Sequence, residues 1–303
     1  MKTAEAVFML HGDITRKSKL LELIDDDVYI VAWPDISAED VVKTLSGFDP
    51  NKHKVLNIGS REKLFMGRNN IIDWCKQNGV SRFWMLDDDI MNFRIGGPSQ
   101  EFKDNVVHDG RVCLKNLEFD DETGLGGMTM SGVMFNHALD APMFSNRFIW
   151  AAVFLDLTVN SIRYSIEGYE DIDMQMECVK NGIKTQTHNW IGHAKPNWVN
   201  KKSVNTPMSK INFYNYLIYR KWGDSTVIDV YYDKQKNKYF RIHVRYPYKI
   251  KNTFRYSTDS LESFVESLEA DYQQHPEHFK VCGLPHMKIE NKNHKKDSNQ
   301  SLS

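Results

Sequence analysis

The first ninety residues alternate between apolar runs of strand length and helical stretches, and this alternation constrains the fold more than any other feature. Apolar runs at residues 6–10, 28–33 and 54–58 predict strands, and turn residues such as Gly12 and Gly59 end them. Strands that alternate with helices are typical of a parallel α/β sheet. Ligands of such sheets bind beyond the carboxyl ends of the strands, so that edge is where a site is expected.

The helices between these strands carry recognisable start and stop signals. Ser37 is the predicted N-cap of a helix that runs to about residue 45. A second helix is predicted over residues 67–78, and Gly79 stands where a left-handed residue commonly ends a helix. The run at residues 82–86 is continuously apolar, which indicates a strand buried on both faces.

Three consecutive aspartates follow this buried strand directly. Out of context such a run is usually a solvated acidic turn. At the carboxyl end of a strand, however, alternate residues such as Asp87 and Asp89 can converge on one ligand, and two close carboxylates repel each other unless a cation or proton intervenes. Hard oxygen ligands select Mg²⁺ or Mn²⁺, which also bridge diphosphate oxygens. We therefore predict a metal site here.

The middle of the chain gives weaker signals. We expect irregular structure from the aspartates to about residue 127, where two glycines could form a turn or let backbone approach a ligand. Asp171 is a predicted N-cap of a helix that closes at Gly182. A short strand at residues 183–187 then leads to His193.

The carboxyl-terminal part has a different character. Residues 227–232 and 238–245 predict a β-hairpin with a five-residue loop. Residues 234–255 hold eight Lys or Arg, no acidic residue and five aromatic residues. Such a surface can track phosphates and stack on flipped bases, although a hairpin would also bury its aromatics and expose its lysines. A helix is predicted at residues 261–272, and a disordered tail follows.

Four short segments, taken in order, resemble the GT-A glycosyltransferase pattern. Residues 68–70 (Arg-Asn-Asn) and residues 83–89 (Phe-Trp-Met-Leu-Asp-Asp-Asp) are similar to its basic–Asn pair, helix and Asp-x-Asp strand. Residues 170–173 (Glu-Asp-Ile-Asp) resemble its acidic pair at a helix start, and His193 stands where several members place a metal-ligating histidine. In particular, the chain resembles the TET-associated and phage DNA-modifying glycosyltransferases, which act on hydroxymethylated pyrimidines in DNA.

The resemblance implies a fold and an activity. The fold would be α/β of the GT-A type: a Rossmann-like, mostly parallel sheet flanked by helices, with a carboxyl-terminal hairpin and helix extension. We expect a catalytic domain over residues 1–198, a basic and aromatic extension over 199–285 that binds the acceptor, and a disordered tail over 286–303. The expected reaction is metal-dependent transfer from a UDP-sugar to a hydroxyl of 5-hydroxymethylcytosine in phage DNA, with Mn²⁺ or Mg²⁺ as cofactor.

The resemblance also implies a role for each site residue. Asp87 would touch the ribose or uracil side of the donor, and Arg68 would neutralise charge on the departing diphosphate. Asp171 is the candidate general base and Glu170 its rival, and helix capping by these acids is a compatible alternative. The expected sets are catalytic Asp171 and Glu170, donor-binding Arg68, Asn69, Asp87 and Asp88, and metal-binding Asp87, Asp89 and His193.

Composition bounds the remaining possibilities. A net charge of −1 leaves no whole-molecule field that favours nucleic acid, so any such preference must be local. The four cysteines lie far apart without a C-x-x-C pair, which indicates reduced thiols in a cytosolic protein. No apolar stretch approaches the roughly 20 residues that cross a bilayer. We therefore expect a cytoplasmic protein, in a bacterial host cell if the gene is a phage gene.

Three alternatives stay open from the sequence. The acceptor could be a glycan, lipid or protein rather than DNA. The aspartates could serve a two-metal nuclease or another phosphoryl-transfer enzyme that acts on DNA. The chain could also be a DNA-binding module that has lost its activity. The sugar, the stereochemical course and the oligomeric state are not readable from these residues.

Overall fold

A computed structural model shows the fold, and it describes residues 1–12, 14–96, 107–130, 143–145, 149–166, 168–195, 214, 217–218, 221–222, 226–232 and 238–244. The chain forms two compact units, Met1–Asn205 and Thr206–Ser303. The strands and helices of the first unit, in chain order, are β1 (Ala6–Leu10), β2 (Val28–Val31), α1 (Ala38–Lys43), β3 (His53–Leu56), α2 (Leu64–Gln77), β4 (Arg82–Asp87), β5 (Asn92–Gly96), β6 (Val107–Gly110), β7 (Thr123–Met130), β8 (Met143–Ser145), β9 (Ala152–Asp156), α3 (Glu170–Lys180) and β10 (Lys184–Ala194).

The ten strands described in the first unit belong to one sheet. Its order is β3-β2-β1-β4-β9-β7-β10-β5-β6, and β8 also pairs with β10. Strands β3, β2, β1 and β4 are parallel. The antiparallel pairs β4–β9 and β9–β7 reverse the direction twice, and β10 is parallel to β7. The carboxyl ends of β1, β4, β7 and β10 therefore share one edge of the sheet.

This order confirms a Rossmann-like α/β fold with a parallel core. The chain moves outward from β1 through β2 to β3 and then returns to place β4 on the other side of β1. That reversal is a topological switch point, where ligands bind in open α/β sheets. The expectation of a mostly parallel sheet holds for the β3–β4 half, whereas the half beyond β4 is mixed.

The early helix signals are confirmed in part. Ser37 caps α1, because its hydroxyl accepts the backbone N–H of Asp40 at 3.1 Å. Gly79 has a φ of 71° after α2, as a left-handed C-terminal residue should. Helix α2 begins at Leu64 rather than at residue 67, so Arg68 lies inside the helix instead of opening it.

Two predictions for the middle of the chain are wrong. Residues after the aspartates are not irregular to residue 127, because β5, β6 and the start of β7 lie there. The two glycines lie within β7 and do not form a turn. A Cβ on Gly126 would lie 2.5 Å from the Phe119 ring, and one on Gly127 would lie 2.4 Å from Ile149 Cγ2. Both glycines let β7 pack closely against its neighbours.

The second half of the first unit needs two further corrections. Residues 183–187 are not a separate short strand, because β10 runs unbroken for 11 residues through His193. Asp171 is not the N-cap of α3, since Tyr169 takes that position and the helix starts at Glu170. Gly182 follows the helix with a φ of 70°, as predicted.

The second unit contains the predicted hairpin, formed by β11 (Thr226–Tyr232) and β12 (Lys238–Val244) in antiparallel register. The register pairs Val230 with Phe240 and Tyr231 with Tyr239. The predicted helix at residues 261–272 and the tail lie outside the described residues.

Candidate functional site

The strand order brings the predicted site residues to one edge of the sheet. Asp87 is the last residue of β4, and His193 is near the end of β10, which runs in the same direction. Helix α2 leads into β4, and helix α3 leads into β10. Both strands start at the opposite edge of the sheet, so each helix runs toward that edge and its first turn lies at the edge that carries the aspartates. Arg68 and the acidic pair at the start of α3 therefore meet the aspartates.

A lysine that was not among the predicted residues binds two of the aspartates. Lys195 Nζ lies 2.8 Å from Asp87 Oδ2 and 2.8 Å from Asp89 Oδ1. Burial alone would raise the pKa of Asp87, but Lys195 and Arg68 outweigh burial and lower that pKa to about 2. Burial raises the pKa of Asp89 above its usual value, against the pull of Lys195. One ammonium thus lies between two carboxylates.

Arg68 connects this pair of aspartates to α3. Its side chain is only 2% exposed, and Nη2 donates to Asp87 Oδ1 at 2.8 Å. Its Nε lies 3.6 Å from Glu170 Oε1, and the guanidinium lies 5.5 Å from the centre of the Tyr164 ring. Because Arg68 is enclosed by these partners, it orients Asp87 and Glu170 instead of facing solvent.

The acidic pair at the start of α3 differs in environment. Glu170 is buried beside Arg68, and burial raises its pKa although Arg68 opposes the shift. Asp171 is half-buried, and its Oδ1 accepts the backbone N–H of Ile172 at 2.8 Å. Burial and the neighbouring Glu170 raise the pKa of Asp171 to about 7. Both pKa values are raised, so either carboxyl suits a general base, and Asp171 is the more exposed of the two.

Asp88 contacts the end of β1 and the segment that follows it. Its Oδ2 lies 2.6 Å from His11 Nδ1, and His11 Nε2 lies 2.7 Å from Thr44 Oγ1. The hydroxyl of Ser18 donates to the backbone carbonyl of Asp88 at 2.7 Å. These bonds fix the turn that presents Asp87 and Asp89.

Asn69 uses both ends of its amide on the backbone of one residue. Its Nδ2 donates to the Tyr164 carbonyl at 2.8 Å, and its Oδ1 accepts the Tyr164 N–H at 3.1 Å. This pair of bonds holds the segment before α3 against α2. Asn69 therefore positions the acidic pair and Tyr164, which packs on Arg68.

His193 is a buried imidazole without a hydrogen-bond partner among the described residues. Burial, with the nearby charge of Lys195, lowers its pKa to about 4, so the ring is neutral at physiological pH. A neutral imidazole with free nitrogens can serve as a metal ligand.

The residues present fit a divalent cation in their chemistry. Asp87 and Asp89 offer carboxylate oxygens, and His193 offers the orphaned nitrogens. Over the described part of the chain, no three His, Cys, Asp or Glu residues are already arranged to hold a metal. The position between the two carboxylates is held by Lys195, so the fit requires that ammonium to move.

Sequence reasoning missed Lys195 and His11. Lys195 stands two residues after His193, and its relevance depends on the place of β10 in the sheet, where it runs in the same direction as β4. His11 follows β1 and contacts Asp88 across 77 residues of sequence. The predicted strand ended at residue 187, and only the observed β10, which continues to Ala194, places Lys195 at the ligand edge.

This fold and site define the class of the protein. A Rossmann-like sheet whose switch point carries paired carboxylates, an enclosed arginine and a lysine is an α/β enzyme with a site for a charged ligand. A sequence model of the family described as "TET-Associated Glycosyltransferase" matches residues 48–203, just over half of the chain. The chain belongs to this family, and it is a glycosyltransferase. This assignment decides against a nuclease or a DNA-binding module without activity.

Other comparisons are less informative. No protein of curated function matches the chain significantly. A solved structure described as "Crystal Structure of a Mycobacterial Protein" aligns over 80% of this chain and 85% of its own, with 10% sequence identity and a TM-score of 0.43. At that score the likeness supports no conclusion. Within the described residues, no helix is both long and apolar enough to span a membrane.

Proposed function

We propose that this glycosyltransferase moves a sugar from a UDP-sugar to the hydroxyl of a hydroxymethylated pyrimidine in DNA, with Mn²⁺ or Mg²⁺ as cofactor. The observation that carries the proposal is the pair Asp87 and Asp89, which share one cationic group at the end of β4. Two carboxylates that converge on a cation at a switch point suit a metal-bound diphosphate.

Asp87, Asp89 and His193 would hold the divalent cation. When bound, the cation supplies positive charge that makes the nucleoside diphosphate a better leaving group. Asp87 stays ionised at neutral pH because its pKa is about 2. Burial keeps His193 neutral at that pH, so its ring nitrogens are available to a metal.

Other residues of the chain orient the reacting groups. Arg68 holds Asp87 and Glu170 in fixed positions through its ion pairs. Asp171 accepts the proton of the acceptor hydroxyl, because an alcohol is a poor nucleophile until a base takes that proton. A pKa of about 7 leaves a large fraction of Asp171 in the basic form at neutral pH.

The DNA acceptor rests on two supports. The DNA-modifying glycosyltransferases that the chain resembles act on hydroxymethylated pyrimidines. Residues 234–255 provide positive charge and aromatic rings in the second unit, which suit phosphates and an unstacked base. A base in duplex DNA must leave the helix before an enzyme can modify it, so contacts to the DNA beside that base are expected.

Mass spectrometry of hydroxymethylated DNA, incubated with Mn²⁺ and a panel of UDP-sugars, tests the proposal. We expect one added sugar per modified pyrimidine and none on plain DNA. Asp89→Asn and Asp171→Asn should each abolish the product. Asp121→Asn is the matched control, because the Asp121 side chain is 79% exposed and pairs with the chain's amino terminus.

Two results would count against the proposal. Thermal-shift measurements should show stabilisation by Mn²⁺ with UDP and less by Mn²⁺ with other nucleoside diphosphates. A shift with a different nucleotide would replace UDP, and no shift with any would refute a nucleotide donor site at these aspartates. Transfer to glycan or protein acceptors with none to DNA would refute the DNA acceptor alone.

A further inference from the structure

Lys195 occupies the place where the proposed cation would bind. Its Nζ is at hydrogen-bonding distance, 2.8 Å, from one oxygen of Asp87 and one oxygen of Asp89. The ammonium therefore neutralises both carboxylates.

We propose that Lys195 and the divalent cation are alternative partners of the same two carboxylates, and that the displaced ammonium binds the diphosphate of the donor. This inference rests on the proposed function. A metal ion bound to Asp87 and Asp89 would lie within a few ångströms of the present position of Nζ. Two like charges at such a distance repel strongly in a partly buried site, so both cannot stay.

The two basic residues of the site differ in their freedom to move. Arg68 is 2% exposed and is held by Asp87, Glu170 and the Tyr164 ring. The Lys195 side chain is 16% exposed and follows the last residue of β10. A lysine is a point charge on a flexible four-carbon stem, so its ammonium can move several ångströms without backbone change.

His193 supports the exchange independently. Its ring nitrogens have no hydrogen-bond partner among the described residues, although the residue is only 1% exposed. A buried polar group normally has a partner, which an ordered water or a ligand supplies where the protein does not. Once Lys195 leaves, the diphosphate that accompanies the metal gives the ammonium a new anionic partner.

The exchange predicts effects of opposite sign for one substitution. Lys195→Met keeps most of the stem and removes the charge. Without nucleotide, Lys195→Met should bind Mn²⁺ at least about tenfold more tightly than the unmodified chain, because no ammonium competes for the carboxylates. At saturating Mn²⁺, the same variant should bind UDP roughly tenfold or more weakly, because the diphosphate has lost a cation.

Electron paramagnetic resonance of free Mn²⁺ and calorimetry with UDP measure the two affinities. Lys184→Met is the matched control, since Lys184 lies at the other end of β10 and pairs with Asp120. It should change neither value. Lys195→Arg keeps the charge and should retain weak Mn²⁺ binding. If Lys195→Met does not fold, Lys195→Gln removes the charge with a polar side chain and is measured in its place.

The outcomes separate this inference from the proposed function. Unchanged or weaker Mn²⁺ binding by the charge-free variant would refute the exchange, even if the unmodified chain transfers sugar. Tighter Mn²⁺ binding with unchanged UDP binding would refute the second role of the ammonium. Tighter Mn²⁺ binding in a chain that binds no nucleoside diphosphate would uphold the shared cation position and refute the donor.

Discussion

Replacing Arg68 by methionine should test how the site is held together. The guanidinium is 2% exposed, pairs with Asp87 at 2.8 Å and lies 3.6 Å from Glu170. Methionine keeps an apolar stem of similar length beside Tyr164 but leaves both carboxylates without this cation. Asp87 keeps Lys195, but Glu170 loses its cation, and removing one partner of a buried ion pair costs about 3–5 kcal/mol when the other charge is left uncompensated.

This loss should be visible as a change of melting temperature. For a unit of this size, 1 kcal/mol corresponds to about 2–4 °C, so Arg68→Met should melt about 6–20 °C lower. Arg82→Met is the matched control. Arg82 Nη2 also lies 2.8 Å from a carboxylate, Glu5 Oε1, but the two side chains are 36% and 35% exposed. An exposed pair contributes less than about 1 kcal/mol.

Thermal unfolding followed by circular dichroism at pH 7 provides the assay. The double variant Arg68→Met with Glu170→Gln should recover part of the loss, because a neutral amide no longer needs the cation. If Arg68→Met melts no lower than Arg82→Met, the buried ion pairs do not hold α2, α3 and β4 together. If the double variant melts lower still, the loss comes from packing and not from an unpaired Glu170.

Three further predictions concern the acidic pair and the sheet. Asp171→Asn should lower kcat by about 10²–10⁴-fold with little change in UDP affinity. A larger loss of kcat in Glu170→Gln would make Glu170, and not Asp171, the general base. With Asp171 as the proposed base, kcat/KM should increase as the pH rises through its pKa of about 7; a profile flat from pH 5 to 9 would contradict this. Gly127→Ala should destabilise by about 1–3 kcal/mol in urea unfolding, since the new Cβ meets Ile149 Cγ2 at 2.4 Å, and a neutral result would show that β7 can shift.

Local patterns in the sequence determined the strands and helices that carry the aspartates. The apolar run before them predicted β4, and Ser37 and Gly79 predicted one start and one end of a helix, all of which the structure confirms. These features depend on residues close in sequence: side-chain burial, a capping hydroxyl and a left-handed glycine. The order of the four short segments likewise led to the glycosyltransferase family that the comparison supports.

Some boundaries carried no local signal. Helix α2 begins three residues early and Asp171 is not a cap, and neither helix has a side-chain hydrogen bond at its N-cap to mark its start. The glycines of β7 resembled a turn in sequence, but their lack of a side chain serves close packing against Phe119 and Ile149. Contacts between segments that are distant in sequence produce no recognisable residue pattern in either segment.

The partners of the site residues were decided by the tertiary structure alone. Asp87 finds Lys195 across 108 residues and Arg68 across 19, and Asp88 finds His11 across 77. The sequence by itself placed the three aspartates at the ligand edge of a sheet. Only the strand order, with its two reversals between β4 and β10, brought a lysine and a neutral histidine to that edge. Charge acts through space, so the cation that now neutralises these aspartates could be identified only after the chain had folded.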